Sequence, residues 1–254
     1  MKILLKNNKE LFINNNLLKN NFEKRNSKTS YLNEFKIKNG KVKLNTDFLY
    51  RLVCYNNLYN KIKGTYKTNL DIFGGVGITA KLFSTGIDNT FVNDISEDCL
   101  SILKMNFLHN NITNIDVSKE KINHNFDLVL CDFNDFTIKK FLKDGYKKIL
   151  DNVFDISNKY VIINDCSFYR LKYGKNAFSS YSLLLTGNSE SINNIEDFFI
   201  KEKIFFKTIY KDWELINIEY FNNSSFLLFK KKSKNNLKIN KVIPPIKKII
   251  ECEL

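Results

Sequence analysis

The sequence predicts an α/β fold, a three-layer sandwich on a mostly parallel seven-stranded sheet that ends in an antiparallel hairpin. Three observations carry this prediction. From about Thr68 onward, short apolar runs alternate with amphipathic stretches, the rhythm of strands joined by crossover helices. The first of these runs ends in glycines and passes directly into a helical pattern. Near the end, two strand-like runs flank Asn222-Asn223-Ser224, a turn-like tripeptide that predicts a hairpin.

Taken in order, residues 69–73 are a β-branched and aromatic run of the kind buried on both faces of a parallel sheet. Residues 78–83 read as a helix opening from the glycine loop, and 90–92 as a second strand ending at Asn93-Asp94. Ser96 is placed to cap a helix whose Cys99, Leu100, Leu103, Phe107 and Leu108 recur at helical spacing, with Glu97 and Asp98 at its positive end. A weak third strand is expected at 114–117 and a clear fourth at 126–131, ending at Asp132. A helix through Ile138, Phe141 and Leu142, or one at 149–154, leads to a fifth strand at 160–163. Residues 192–203 look helical, and 214–221 with 225–229 form the closing hairpin.

Residues before about Gly64 break this rhythm, apart from helical potential at 48–58. The expected organisation is an N-terminal extension over 1–66, a catalytic domain over 67–232 and a basic tail over 233–254. Beyond Phe229 the chain carries eight lysines before its next acid, Glu251.

At 254 residues, with 43% apolar residues and 22 Phe, the chain has ample material for a core, so disorder is not the default. The formal charge of +13 favours a polyanionic partner, although an Asn-, Lys- and Ile-rich composition with two Pro also inflates lysine. Cys54, Cys99, Cys131, Cys166 and Cys252 include no Cys-x-x-Cys pair, and His109 and His124 lack ligand spacing, so no metal site is expected. The apolar start at Met1 breaks into Asn and Lys too soon for a signal peptide, and no run approaches a membrane span. The expectation is a soluble, cytoplasmic protein.

The glycine loop Asp71-Ile72-Phe73-Gly74-Gly75-Val76-Gly77 carries the most chemistry. Glycines at a strand-to-helix turn let backbone amides approach a ligand that side chains would block. The glycines alone also satisfy a dinucleotide fingerprint, with Asp94 about 20 residues on. Asp71 points elsewhere, because a carboxylate there would repel a pyrophosphate and suits a ligand bearing an ammonium and a sulfonium. The run Asp71-x-Phe73-x-Gly75-x-Gly77 resembles motif I of the class I, Rossmann-like S-adenosylmethionine-dependent methyltransferases. That resemblance spans about residues 68–230 and implies S-adenosylmethionine as cofactor. It places Asp71, Phe73, Gly74, Gly75 and Gly77 around the methionine part, Asp94 on the ribose hydroxyls and Ile95 on the adenine ring. Asp116, expected near the end of strand three, is in the area of the adenine amino group, where an ordinary solvated aspartate is an equal reading. The family's antiparallel last strand matches the closing hairpin.

The methyl acceptor should lie after strand four, at Asp132-Phe133-Asn134-Asp135-Phe136-Thr137. The run has neither the Asp/Asn-Pro-Pro-Tyr/Phe of adenine amino-methylating enzymes nor the Pro-Cys of cytosine-C5 enzymes, and Cys131 reads as core. Asp132, Phe133 and Asn134 are the catalytic candidates: Asp132 to orient or deprotonate a nitrogen nucleophile, with Phe133 or Phe136 stacking on a base. Asn93-Asp94-Ile95 with Asn106 and Asn110 weakly resembles tRNA guanine-N methyltransferases. Residues 164–181 interleave Tyr169, Tyr173, Phe178 and Tyr181 with Arg170, Lys172 and Lys175, which suits nucleotides or, equally, a loop folded onto the core. The expected partner is therefore nucleic acid, RNA favoured over DNA, with a base nitrogen methylated. Two rivals stand beside this: a catalytically silent nucleic-acid-binding or partner subunit on the same fold, and a nicotinamide-dependent oxidoreductase. The latter lacks a Tyr-x-x-x-Lys pair, since Tyr169 and Lys172 are three apart.

Overall fold

The computed structural model describes residues 2–4, 10–12, 35–38, 41–44, 46–87, 89–133, 145–165, 195–221 and 224–233. The chain opens with two small antiparallel hairpins, β1 (Lys2–Leu4) with β2 (Glu10–Phe12) and β3 (Phe35–Lys38) with β4 (Lys41–Leu44). Helix α1 (Thr46–Ile62) follows. The alternating part then runs β5 (Thr68–Ile72), α2 (Ile78–Leu82), β6 (Asn89–Asn93), α3 (Glu97–Leu103), β7 (Ile112–Thr113), β8 (Phe126–Phe133), α4 (Gly145–Asp155), β9 (Ser157–Asp165), α5 (Ile195–Ile209), β10 (Trp213–Phe221) and β11 (Ser224–Lys231).

Seven strands form one sheet in the order β7-β6-β5-β8-β9-β11-β10. The pairs from β7 through β9 are parallel, and β11 runs antiparallel between β9 and β10. The expected three-layer sandwich is what forms. Period-two alternation sends Val129, Cys131, Val161, Ile163, Leu227 and Phe229 to one face, where Ile149, Leu150, Val153 and Phe154 of α4 and Phe205 and Phe206 of α5 cover them. Leu128, Leu130, Ile162, Phe226 and Leu228 point to the other face, against Cys54, Tyr55, Leu58 and Ile62 of α1 and Leu82 of α2. Each of these buried large side chains contributes about 1.5–3 kcal/mol through area removed from water.

Helix α1 lies within the span expected to be an N-terminal extension, yet it is half of the cover on this face. Its buried residues Phe48, Tyr55, Leu58 and Ile62 are spaced seven, three and four residues apart, which puts them on one helical face. Tyr50 stacks on Phe221 at 5.0 Å, fastening the helix to β10.

Several element ends differ from expectation. The third strand is Ile112–Thr113, so residues 114–117 follow it rather than form it. Asn93 explains the early stop: its Nδ2 donates to the Ile115 carbonyl at 3.1 Å and to the Thr113 hydroxyl at 3.0 Å. Helix α3 starts where Ser96 predicts, the hydroxyl accepting from the Cys99 N–H at 3.5 Å, but it ends at Leu103. Asn106 draws the following turn aside. Its amide accepts from the Phe12 N–H at 2.6 Å and donates to the Phe12 carbonyl at 2.7 Å, pinning β2 there. The expected helix through Ile138, Phe141 and Leu142 lies outside the described residues; the alternative at 149–154 is α4.

Candidate cofactor and acceptor site

The strand order reverses at β5, whose neighbours are β6 on one side and β8 on the other. Ligands of open α/β sheets bind in the crevice outside the carboxyl ends at such a point. The glycine loop leaves β5 there. Phe73 (φ 59°), Gly75 (φ 56°) and Gly77 (φ 85°) all adopt left-handed backbone. A non-glycine residue in that region stores about 1–3 kcal/mol of strain, a cost typically found at ligand sites. Gly74 and Gly77 are glycines for a further reason. A Cβ on Gly74 would lie 2.5 Å from Val92 Cγ1, and one on Gly77 2.5 Å from the Phe107 ring, so the loop presses against β6 and the turn after α3.

The loop is tied directly to the end of β6. The Gly74 N–H donates to the Asn93 carbonyl at 3.1 Å, and the Gly75 N–H to Asp94 Oδ2 at 2.9 Å. Asp94 Oδ1 accepts from the Ser96 N–H at 2.8 Å. Burial raises the Asp94 pKa above the ordinary aspartate value, against the lowering effect of the Ser96, Gly75 and Ile95 amides. Each carboxylate oxygen retains a lone pair for another donor. Ile95 beside it is 38% exposed, an apolar side chain held in the open.

Asp71 is buried, at 1% exposure, with its carboxyl group beneath the loop: its Cγ would lie 3.3 Å from a Cβ on Gly74. Asp116 sits in the turn beyond β7. Its carboxylate accepts from Ser118 (N–H at 3.2 Å, hydroxyl at 2.6 Å) and pairs with Lys119 at 3.2 Å. Desolvation, the largest influence, would raise its pKa; those bonds together outweigh it and the net shift is downward. The carboxylate thus serves its own turn.

Asp132 stands at the carboxyl end of β8, opposite Asn164 on β9. Arg51 of α1 contacts both carboxylate oxygens through Nη2. Asn164 Nδ2 donates to Oδ1 at 3.0 Å, and the Tyr55 hydroxyl to Oδ2 at 3.1 Å. Each oxygen therefore accepts two bonds, which fills the roughly four lone-pair sites of a carboxylate. Burial, followed by the charge of Asp132, pushes the Tyr55 phenol well above the usual tyrosine value, so it remains a donor. Removing that hydroxyl in Tyr55→Phe is expected to cost about 1 kcal/mol of stability in urea unfolding, the usual net worth of one hydrogen bond. A loss under a few tenths would show that the phenol does not hold Asp132.

Arg51, Tyr55 and Asn164 were not anticipated. Residues 48–58 read only as a helix, and no local pattern tells which strand end a helix will face. Phe133 closes β8, while Asn134, Asp135, Phe136 and Thr137 lie outside the described residues, as do residues 166–194 and the lysine tail from 234. Cys131 is core, as expected, and burial pushes the Cys54 thiol up to about 12, leaving it protonated. Among the described residues, no group of three His, Cys, Asp or Glu side chains could hold a metal ion, and no helix is long and apolar enough to cross a membrane.

The antiparallel β11 separates the two glycine-loop folds. A doubly wound dinucleotide-binding sheet is mostly parallel, with any reversed strand at its edge, whereas here a reversed strand is inserted between β9 and β10. Solved structures agree. N-methyltransferase NodS from Bradyrhizobium japonicum WM9 is similar at 10% identity over 74% of this chain and 98% of that one, with a TM-score of 0.50. The plantazolicin methyltransferase BpumL is similar at 15% identity over 85% and 94%, also with a TM-score of 0.50. The chain has the class I methyltransferase fold. No family model matches the sequence, and no curated protein does. The likeness is therefore one of architecture. The Gly75–Asp94 contact lies on the β6 side of β5, and Asp132 with Asn164 on the β8 side.

Proposed function

We propose that this chain is an S-adenosylmethionine-dependent methyltransferase acting on a nitrogen of a nucleic acid, RNA in preference to DNA. The observation that carries the cofactor reading is the Asp94 carboxylate, docked on the Gly75 N–H at the switch point. One remaining lone pair on each oxygen suits the two hydroxyls of a ribose, and exposed Ile95 suits an adenine face. The residues present fit the cofactor. Its sulfonium methyl supplies the electrophile, and the chain's task is chiefly to align a nucleophile with it. In this reading Asp71 sits under the methionine part, with Phe73, Gly74, Gly75 and Gly77 forming the loop. BpumL was solved with S-adenosylhomocysteine bound, and NodS is named an N-methyltransferase; both names accord with this reading.

The nucleic-acid reading rests on the formal charge of +13. RNA affinity is expected to fall at least about tenfold between about 50 and 200 mM salt, as counterion release requires when several phosphates are contacted. A salt-independent affinity in fluorescence anisotropy would argue for an uncharged acceptor. Incubation with labelled S-adenosylmethionine and separate RNA, DNA and protein pools tests the whole proposal. Label in RNA supports it; cofactor binding without transfer to any pool would support the rival, a silent nucleic-acid-binding subunit. The filled coordination of Asp132 favours that rival to one degree, because the carboxylate has no free lone pair to act as base. In the proposed enzyme Asp132 is accordingly a positioning residue, and Phe133 and Asn134, which follow it in the sequence, are assigned to the acceptor by that adjacency alone.

A further inference from the structure

We propose that the side-chain oxygen of Asn164 binds the N–H of the nitrogen to be methylated, which restricts the acceptor to an amine or amide nitrogen that carries hydrogen. This rests on the methyltransferase reading above. Asn164 occupies the carboxyl end of β9, directly across from Asp132. Its amide orientation is fixed by chemistry. The carboxylate of Asp132 can only accept, so the group 3.0 Å from its Oδ1 must be the NH2 of Asn164. The Asn164 oxygen is thereby turned away from Asp132. That oxygen is fully buried and accepts no hydrogen bond from any described residue.

Burying an acceptor without a donor is costly, and native proteins keep few such atoms. Other orphaned buried amide atoms belong to Asn69 and Asn93. Asn69 lies in the first half of β5, away from the carboxyl edge, and Asn93 lies at the end of β6, on the other side of β5. Asn164 has its orphaned oxygen at the carboxyl end of the sheet, opposite the end of β8, the strand whose end should meet the methyl acceptor. Asp132 cannot take that donor, because both of its oxygens are already filled. Arg51 and Tyr55 hold Asp132, and Asp132 holds the amide of Asn164. The polar cluster is thus arranged to present one neutral acceptor instead of a base. On transfer, the nitrogen lone pair forms the new N–C bond and the pair of the broken C–S bond stays on sulfur. The amide takes no proton; the N–H proton passes to water.

Asn164→Ser tests this, because the carbonyl oxygen is gone while Asp132 keeps its Arg51 and Tyr55 partners. Asn164→Thr is the second variant should Ser fold poorly. Methyl transfer from labelled S-adenosylmethionine to bulk RNA is measured beside calorimetry with S-adenosylhomocysteine. The expected result is a fall in kcat/KM of about tenfold to a hundredfold, the worth of one unmade hydrogen bond to a buried group, with unchanged S-adenosylhomocysteine affinity. Wild-type transfer rates in either variant would overturn the proposal. So would a fall in transfer that S-adenosylhomocysteine affinity follows in parallel, which would mark Asn164 as structural support only. Wild-type protein that binds no S-adenosylhomocysteine would remove the methyltransferase reading itself, a distinct failure.

Discussion

Asp94→Ala is expected to weaken S-adenosylhomocysteine binding by at least about a hundredfold, since two charge-assisted hydrogen bonds of about 1.5–3 kcal/mol each are lost. The loss should be larger than contact counting suggests, because the same carboxylate also fixes the loop through the Gly75 N–H. Calorimetry of wild type and variant reads the difference. An unchanged affinity would remove Asp94 from the cofactor site and leave the glycine loop as a structural turn.

The raised pKa of Asp94 adds a second readout. A diol is bound best by the ionised carboxylate, so affinity falls as pH drops through the folded-state value. Burial lifts that value above an ordinary aspartate's, so the fall begins at a higher pH than it otherwise would. Stability responds with the opposite sign. An acid whose folded pKa lies above its unfolded one makes the folded state bind protons more readily, so Asp94 opposes folding at neutral pH. That opposition is relieved as pH falls through the window between the two values. Asp94→Ala should flatten both trends.

Arg51→Ala is expected to lower unfolding free energy by about 2–4 kcal/mol, towards the lower end for a broken buried pair because both partners keep some exposure. Their side chains are 22% and 14% exposed, which separates this pair from Lys121–Asp155, at 48% and 65%, where about 0–1 kcal/mol is the usual value. Without the guanidinium, the Asp132 carboxylate would be left with only Tyr55 and Asn164 as donors. The urea midpoint should fall at constant m. Adding Asp132→Asn to Arg51→Ala should recover most of the loss, because the stranded charge is then gone. A loss below about 0.5 kcal/mol would place the pair with surface ion pairs instead.

The elements best predicted from sequence are those whose information is local. Val129 and Cys131 alternate with Leu128 and Leu130 in a run that only a strand buried on both faces explains, and β8 forms there. Ser96 announced the start of α3, and Asn222-Asn223-Ser224 the hairpin. Errors arose where a distant partner intervenes. The third strand stops at Thr113 because the Asn93 side chain takes the Ile115 carbonyl, and the turn after α3 is drawn aside by Asn106 binding β2. Asp116 consequently lies in a turn that uses its carboxylate.

The sequence by itself determined the class of the fold and the make-up of the glycine loop at its switch point. A strand ending in glycines, an acid before them and an acid after the next strand are neighbours along the chain, and one βαβ unit brings them together whatever else the protein does. Only the tertiary structure decided what surrounds Asp132. Arg51 and Asp132 are 81 residues apart, and Tyr55 and Asp132 77 apart. They meet because the apolar stripe of α1 must cover Leu128, Leu130 and Phe226, and that docking carries two polar side chains to the end of β8. Asp132 was expected to orient or deprotonate a nitrogen nucleophile. What the packing built is a saturated carboxylate and, beside it, the one buried oxygen of Asn164.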